Sequence, residues 1–267
     1  MRRTAAAGAL LLAACGACWP GRAPAPSILA VSVSSGTLTA PDSARAGWTR
    51  LRVEEDGGGH IVVIFRIPDS LTPADLKALR MAMDTSRATP RDAVAYGGPE
   101  VGDSGEVTLY LTPARYLIGC VSRGEDGHRH LAGGEWKVMD VLRSRGRRAS
   151  EPLADHEVRM VDFAYAGEAT WPAGEQVIQV VNRGRQEHQL RIDRLHPGVS
   201  LQAWLTAADS VEVSTPVAGA ARMGPRRTVF LPVSLEPGAY VIYCLVPDYI
   251  SGRMHVELGM FRAIKVE

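Results

Sequence analysis

The sequence has little of several features that define whole classes of protein. Its 30 basic and 29 acidic residues leave a formal net charge of +1, and aromatic residues make up only 6%. A near-neutral chain lacks the broad basic surface on which nucleic-acid binding depends. No apolar run reaches the roughly 20 residues of a membrane-spanning helix, and the 27 glycines follow no collagen-like period. An apolar fraction of 46% excludes a disordered chain, so one large or two ordinary globular domains are expected.

The N-terminus has the pattern of a secretory signal. The basic stretch Met1-Arg2-Arg3 precedes the apolar segment Ala5–Ala14, which is too short to span a bilayer and predicts a signal peptide over residues 1–14. Leu12-Ala13-Ala14-Cys15 resembles the lipobox of bacterial lipoproteins. That resemblance implies a lipid on Cys15 and cleavage just before it. Gly16 rather than aspartate follows Cys15, and in lipoproteins this implies a location at the outer membrane.

A tether is predicted next. Residues 15–26 are rich in Pro, Gly and Ala and lack periodicity, which favours a flexible linker. Cys18 lies in this segment and is either a second acylation site or a free thiol. Ordinary secretion with cleavage near Ala25 is the alternative to lipidation.

The rest of the chain repeats one pattern. Leu111–Cys120 (LTPARYLIGC) and Leu235–Cys244 (LEPGAYVIYC) share Leu, Pro, Tyr, Ile and Cys at the same relative positions. In both copies one histidine precedes the cysteine by about 60 residues and another follows it ten or eleven residues later: His60 and His130 in the first copy, and His188 and His255 in the second. Matching order over more than 100 residues indicates a duplication.

Local patterns in both copies predict β structure. Short runs of alternating apolar and polar residues are broken by Gly, Pro, Asn and Asp, which predicts an all-β fold of two tandem β-sandwiches. We place the first over residues 27–142, here the first repeat, and the second over 153–267, here the second repeat. The polar, arginine-rich residues 143–152 are the expected linker. Each repeat also contains one short helical insertion, beginning at the predicted N-caps Thr72 and Ser200.

The second repeat carries a set of sulfur and imidazole side chains in a recognisable order. Asn182-x-Gly184 leads to His188, Cys244 ends a strand, and His255 and Met260 follow. This resembles the cupredoxins, or blue copper proteins, and implies a Greek-key β-sandwich. By this resemblance His188, Cys244 and His255 are equatorial copper ligands and Met260 is the axial ligand. A thiolate, two imidazoles and a weak thioether suit copper that cycles between Cu(I) and Cu(II).

One feature departs from the family pattern. Ten residues intervene between Cys244 and His255, whereas cupredoxin loops usually place this histidine only two to four residues past the cysteine. Asp248–Gly252 can form a protruding turn that returns the chain to the site, and Met254 is an alternative sulfur donor. A metal-free sandwich in which Cys244 is a buried apolar residue stays open, as does a Cys120–Cys244 disulfide.

The first repeat offers His60, Cys120 and His130, but Glu135 stands where the second repeat has Met260. Such a His₂-Cys-carboxylate set resembles the red-copper variant of the family and also suits zinc. His128 is an alternative to His130 as the ligand. A metal-free structural domain is an equal alternative to a second metal site here.

These observations predict a lipid-anchored, periplasm-facing copper protein that transfers electrons. We expect the membrane, through the lipid, and redox proteins as its partners. A metal-free binding or structural lipoprotein and a copper carrier are the alternatives. An enzyme is not expected, because the chain has one His-x-His pair and two-domain copper oxidases and nitrite reductases need several. Serine-hydrolase, phosphate-loop and zinc-protease motifs are also missing from the sequence.

Overall fold

The structure is a computed structural model that describes residues 23–34, 36–57, 59–86, 88–100, 104–208 and 211–267. The predicted signal peptide, Cys15, Cys18 and the larger part of the predicted tether lie outside these residues. Within the described ranges, none of the helices combines the length and the apolar character that crossing a bilayer requires.

The described part of the first repeat forms nine strands and one α-helix. In chain order these are β1 (Ser27–Ser34), β2 (Thr37–Thr39), β3 (Ser43–Arg45), β4 (Gly47–Glu55), β5 (Val62–Ile67), α1 (Pro73–Thr85), β6 (Val94–Gly97), β7 (Ser104–Leu111), β8 (Ala114–Cys120) and β9 (Trp136–Leu142). A short 3₁₀ helix, His130–Ala132, precedes β9.

The second repeat contains the same elements in the same order. They are β10 (His156–Val161), β11 (Ala164–Ala166), β12 (Thr170–Trp171), β13 (Gly174–Asn182), β14 (His188–Leu195), α2 (Leu201–Thr206), β15 (Ser214–Met223), β16 (Thr228–Leu235), β17 (Gly238–Tyr243) and β18 (Phe261–Val266). A 3₁₀ helix, His255–Leu258, precedes β18. Residues 143–152, the predicted linker, contain neither helix nor strand.

The strands form two sheets, and both sheets continue across the two repeats. One has the order β11-β10-β13-β16-β7-β4-β1-β2 and the other β12-β18-β17-β14-β15-β6-β5-β8-β9-β3. Exchanging each strand for its counterpart in the other repeat reverses either order, so the molecule has a pseudo-twofold arrangement. Antiparallel contacts join the repeats edge to edge: β7 with β16 through Leu109–Val229 and Thr108–Phe230, β6 with β15 through Tyr96–Met223, and a bridge between Pro99 and Ala220. The prediction of an all-β sandwich is confirmed.

The strands that carry the cysteines present one face to the core. Tyr240, Ile242 and Cys244 all belong to the main buried cluster between the sheets, as the period of two along a strand predicts. Both helical insertions are also confirmed. At the start of α1, Thr72 Oγ1 accepts a hydrogen bond from Asp75 N, and Thr72 N donates one in return to the Asp75 carboxylate. Ser200 caps α2. These caps satisfy backbone N–H groups that have no partner within a helix.

Candidate metal centres

His188, Cys244 and His255 converge at one end of the second repeat. His188 begins β14, Cys244 directly follows β17, and His255 begins a 3₁₀ helix. The Nδ1 atoms of the two histidines lie 3.1 Å apart, and Cys244 Sγ lies 3.4 Å from His255 Nδ1. All three residues have 0% exposure. We call these three residues the second-repeat centre.

The turn before His188 is built by the predicted Asn-x-Gly motif. The Asn182 side chain is fully buried, accepts a hydrogen bond from Gly184 N and donates to the carbonyls of Gln186 and Met223. A Cβ on Gly184 would lie only 2.5 Å from His188 Nε2 and 2.4 Å from Asp162 Oδ1. The glycine is therefore required by the close approach of the backbone to the imidazole.

The long segment between Cys244 and His255 folds back on itself as a turn, as the sequence predicts. Asp248 N donates to Arg253 O, Gly252 N donates to Asp248 O, and the backbone of Pro247 is paired with that of Met254. Ile250 at the tip is 93% exposed. The extra residues therefore project outward, and the chain returns to place His255 beside the cysteine.

Met260 lies next to the same centre. It is fully buried, its carbonyl accepts a hydrogen bond from Cys244 N, and its own N–H donates to His255 O. Met254, the alternative sulfur donor, is 41% exposed. Burial beside two of the converging residues favours Met260, and its axial role remains a prediction.

Two contacts outside the predicted ligands orient this centre. Asp162 Oδ1 lies 3.0 Å from His188 Nε2, and a proton on Nε2 leaves the lone pair on Nδ1 for a metal. Gln189 N donates to Cys244 Sγ at 3.4 Å. Sequence reasoning missed Asp162, which lies 26 residues before its partner in the turn between β10 and β11. No local motif marks that position.

Burial sets the protonation of these donors in the absence of metal. It raises the pKa of the Cys244 thiol to about 12 and lowers the pKa of His255 to about 4. Burial also lowers the pKa of His188. At neutral pH the imidazoles are therefore uncharged and the cysteine is a thiol, so a metal that binds the thiolate must displace one proton.

The first repeat brings together all four of its predicted residues. His60 Nδ1 and His130 Nδ1 lie 3.2 Å apart, and each lies 3.6 Å from Cys120 Sγ. Glu135 Oε2 lies 2.8 Å from His60 Nδ1 and 3.0 Å from His130 Nδ1. We call His60, Cys120, His130 and Glu135 the first-repeat centre. Burial raises the pKa of the Cys120 thiol to about 11.

The sequence leaves open whether His128 or His130 is the ligand, and the structure favours His130. His130 has a side chain 22% exposed and faces Cys120. His128 is turned away, and its Nδ1 lies 2.7 Å from Asp84 Oδ2. Cys120 and Cys244 are both free thiols in separate clusters, so the alternative of a disulfide between them is not realised.

The nitrogen and sulfur atoms in both clusters have the separation of ligands around one metal ion. In each cluster the ligand atoms all lie within 4.8 Å of one another. With metal–nitrogen bonds of about 2.0 Å and metal–sulfur bonds of about 2.3 Å, a tetrahedral set has ligand–ligand distances of about 3.3 to 3.6 Å. The distances between nitrogen and sulfur atoms here, 3.4 and 3.6 Å, match that range. A buried set of one thiol and two imidazoles fits copper.

We expect Asp162→Asn to weaken copper binding at the second-repeat centre by about tenfold or more. An amide oxygen still accepts from His188 but lacks the charge that makes the imidazole a better donor, and such partners are typically worth 10- to 100-fold in metal affinity. Competition with a copper chelator measures the change. Asp69→Asn is the matched control, because Asp69 caps Arg115 N at the other end of the first repeat's sheet. Equal affinities in all three proteins would contradict the role assigned to Asp162.

The carboxyl group of Glu100 is buried between the repeats. It contacts the side chain of Gln189, the residue whose backbone N–H donates to Cys244 Sγ. Glu100 is 5% exposed, and its Oε1 accepts from Gln189 Nε2 at 3.1 Å. Burial raises the pKa of Glu100 to about 7, Asp193 acts in the same direction, and Arg191 and Arg222 oppose the shift. The folded chain therefore holds a proton on Glu100 at pH values where the unfolded chain has lost it.

Glu100→Gln is expected to change how stability depends on pH. The raised pKa means that the stabilising contribution of the protonated carboxyl is fully present below about pH 4.5 and is lost as the pH rises through about 7. At pH 8 the variant should be more stable than the parent by up to about 3 kcal/mol, measured by urea unfolding across the pH range. The exposed control Glu125→Gln should leave the profile unchanged. Parallel profiles for the parent and Glu100→Gln would refute this assignment.

Comparisons with known proteins were made by sequence and by structure. No family model matches the chain, and no curated protein matches it. Among solved structures it is similar to auracyanin A, a blue copper protein from Chloroflexus aurantiacus (16% identity, 42% of this chain and 99% of that one, TM-score 0.27). It is also similar to a copper nitrite reductase from Nitrosomonas europaea (13% identity, 91% of this chain and 93% of that one, TM-score 0.26). A multicopper oxidase is similar to the same extent (14% identity, 92% of this chain and 93% of that one, TM-score 0.26).

The prediction that the chain is not an enzyme is wrong. The solved structures to which it is similar over 91% and 92% of its length are a nitrite reductase and an oxidase. The prediction rested on the scarcity of His-x-His pairs. That count bears only on a copper centre assembled between domains, and it does not test for catalysis elsewhere.

The fold itself agrees with the resemblance noted in the sequence. Both repeats are two-layer β-sandwiches, and in each a strand that ends at a cysteine brings that residue beside two histidines. The chain has a cupredoxin-like fold.

Proposed function

We propose that this chain binds copper at both centres and transfers electrons through the second-repeat centre. The observation that carries the proposal is the convergence of His188 Nδ1, Cys244 Sγ and His255 Nδ1 in a fully buried cluster. Met260 is the proposed axial ligand. Copper held by such a set supplies one-electron chemistry by alternating between Cu(I) and Cu(II).

The protein's own residues prepare this centre for electron transfer. Asp162 fixes the orientation of the His188 ring, and Gln189 N donates a hydrogen bond to the sulfur. The rings of Phe163 and His255 pack in a T-shaped arrangement, with centroids 5.2 Å apart. A centre fixed in this way needs little rearrangement when its charge changes, and its burial keeps water from competing as a ligand.

The first-repeat centre is proposed to hold a second copper ion in a harder set of donors. Glu135 lies against both imidazoles, and its carboxylate favours the more highly charged Cu(II) over Cu(I). We expect this centre to have the lower reduction potential. Partial exposure of His130 makes it the more accessible of the two to a redox partner.

We further propose that the protein is a lipoprotein, anchored through Cys15 at the outer membrane and facing the periplasm. The supporting observation is the lipobox-like sequence before Cys15. The boundaries 27–142 and 153–267 for its two domains belong to the same proposal, with redox proteins as partners. Cys15→Ser should move the protein from the membrane fraction to the soluble fraction and abolish incorporation of labelled fatty acid. Retention of both in the variant would refute the anchor.

Titration of the full chain with Cu(II) tests the copper proposal. We expect two copper ions per chain by elemental analysis and an intense thiolate-to-copper absorption band in the visible range that is lost on reduction. Zinc retained against excess copper at the first-repeat centre would replace the second copper site with a zinc site. A folded chain that binds no copper would overturn the proposal and favour a metal-free module. Copper bound without a thiolate band would favour a carrier.

A further inference from the structure

A cavity of about 470 Å³ lies between the repeats and is flanked by both centres. Its lining includes the residues that directly follow four of the proposed ligands in the chain: Ile61, Val121, Gln189 and Leu245. Arg129 and Met254, which directly precede His130 and His255, also line it. The volume lies in the range of small-molecule sites.

The cavity is strongly basic. Arg123, Arg129, Arg191 and Arg222 line it, and Glu100 is the only carboxylate among the lining residues that the structure describes. Guanidinium groups recognise carboxylates and other oxyanions through paired hydrogen bonds. Four such groups around one cavity point to an anionic ligand.

Three of these four arginines form ion pairs, and Asp84 and Glu187 lie near the fourth, Arg129. Arg123 lies 3.7 Å from Asp84, Arg222 lies 3.5 Å from Glu187, and Arg191 lies 3.8 Å from Glu100. Among the described residues no carboxylate forms an ion pair with Arg129. Its guanidinium donates to the Val121 carbonyl, and its buried Nε has no hydrogen-bond partner.

Glu100 offsets only part of the positive charge around the cavity. The second oxygen of Glu100 is buried without a partner, and burial raises its pKa to about 7. Near neutral pH part of the population therefore has no negative charge at this position to repel an anion.

The cavity is also lined by apolar side chains, those of Ile61, Val121, Leu245, Pro247 and Met254. A bare inorganic anion would leave these side chains uncovered, whereas an organic anion can bury an apolar body against them while its charged group meets the arginines. We infer that this cavity binds a small organic carboxylate, with the carboxylate on the arginines and the apolar body against the apolar side chains.

Isothermal titration of the metal-free full chain with benzoate tests this inference without interference from ligation of copper. We expect benzoate to bind at least tenfold more tightly than its neutral analogue benzamide, because a desolvated charged hydrogen bond contributes roughly that factor. Arg129→Gln and Arg222→Gln should each weaken benzoate about tenfold. The control Arg159→Gln, an exposed residue paired with Glu157, should bind like the parent.

Circular dichroism identifies any variant that fails to fold, and the second arginine variant then carries the test. Equal binding of benzoate and benzamide, unchanged affinity in the folded arginine variants, or no heat with either probe would overturn the inference. Inorganic phosphate that binds as tightly as benzoate would also overturn it, because the apolar side chains would then contribute nothing.

Discussion

Replacing Cys244 with serine is expected to abolish the thiolate-to-copper band of the second-repeat centre and to remove one of the two bound copper ions. The serine hydroxyl is nearly the same size as the thiol, so the buried end of β17 should still pack. It is not deprotonated at neutral pH, however, and it offers a hard oxygen where copper prefers sulfur. The loss in affinity should exceed the 10- to 100-fold typical of residues that merely orient a ligand.

The matched control is Cys120→Ser, which makes the same chemical change at the equivalent position of the first repeat. It should remove the other copper ion and leave the Cys244 band in place. Visible spectra and copper-to-protein ratios of the two variants separate the two centres. If Cys244→Ser retained both copper ions and the full band, the sulfur assigned to copper would be the wrong one.

Substituting Gly98 with alanine should strongly destabilise the first repeat where it meets the second. A Cβ at this position would lie 1.8 Å from the Val62 carbonyl oxygen, an impossible contact that only movement of the backbone can relieve. Gly98 also accepts a hydrogen bond from Ala221 of the other repeat. Overpacking a core typically costs about 1 to 3 kcal/mol. Because main chain must move on both sides of Gly98, we expect a loss of at least about 3 kcal/mol in the free energy of unfolding.

Urea unfolding of Gly98→Ala measures this loss. Gly224→Ala is a suitable control, since its Cβ would meet Ala95 O at 3.4 Å, an ordinary van der Waals contact. The control should remain within about 1 kcal/mol of the parent. A stability equal to that of the parent in Gly98→Ala would mean that the backbone of Gly98 does not approach Val62 as described.

The parts of this structure that follow from short-range rules could be predicted from the sequence. Alternation along β17 places Cys244 on the core face with Tyr240 and Ile242, and the caps at Thr72 and Ser200 mark both helices. The repeated order of histidine and cysteine also brings the right residues together. Each of these signals can be read directly from the sequence, as a periodicity along one strand, a cap beside one helix, or the same motif occurring twice.

The features that depend on distant segments could not be predicted in this way. The pairing of β7 with β16 depends on which strand edges remain open after each repeat has folded, and strand patterns do not record that. Asp162 meets His188 only because the turn between β10 and β11 lies over the end of β14. The choice of His130 over His128 likewise depends on Asp84, a residue of α1 that holds His128 away.

The most direct test of the copper assignment is a crystal structure of the copper-loaded full chain with anomalous scattering measured at the copper absorption edge. The account predicts a peak within about 2.0 to 2.3 Å of His188 Nδ1, Cys244 Sγ and His255 Nδ1. A folded, copper-soaked crystal with no peak among these three atoms would contradict it.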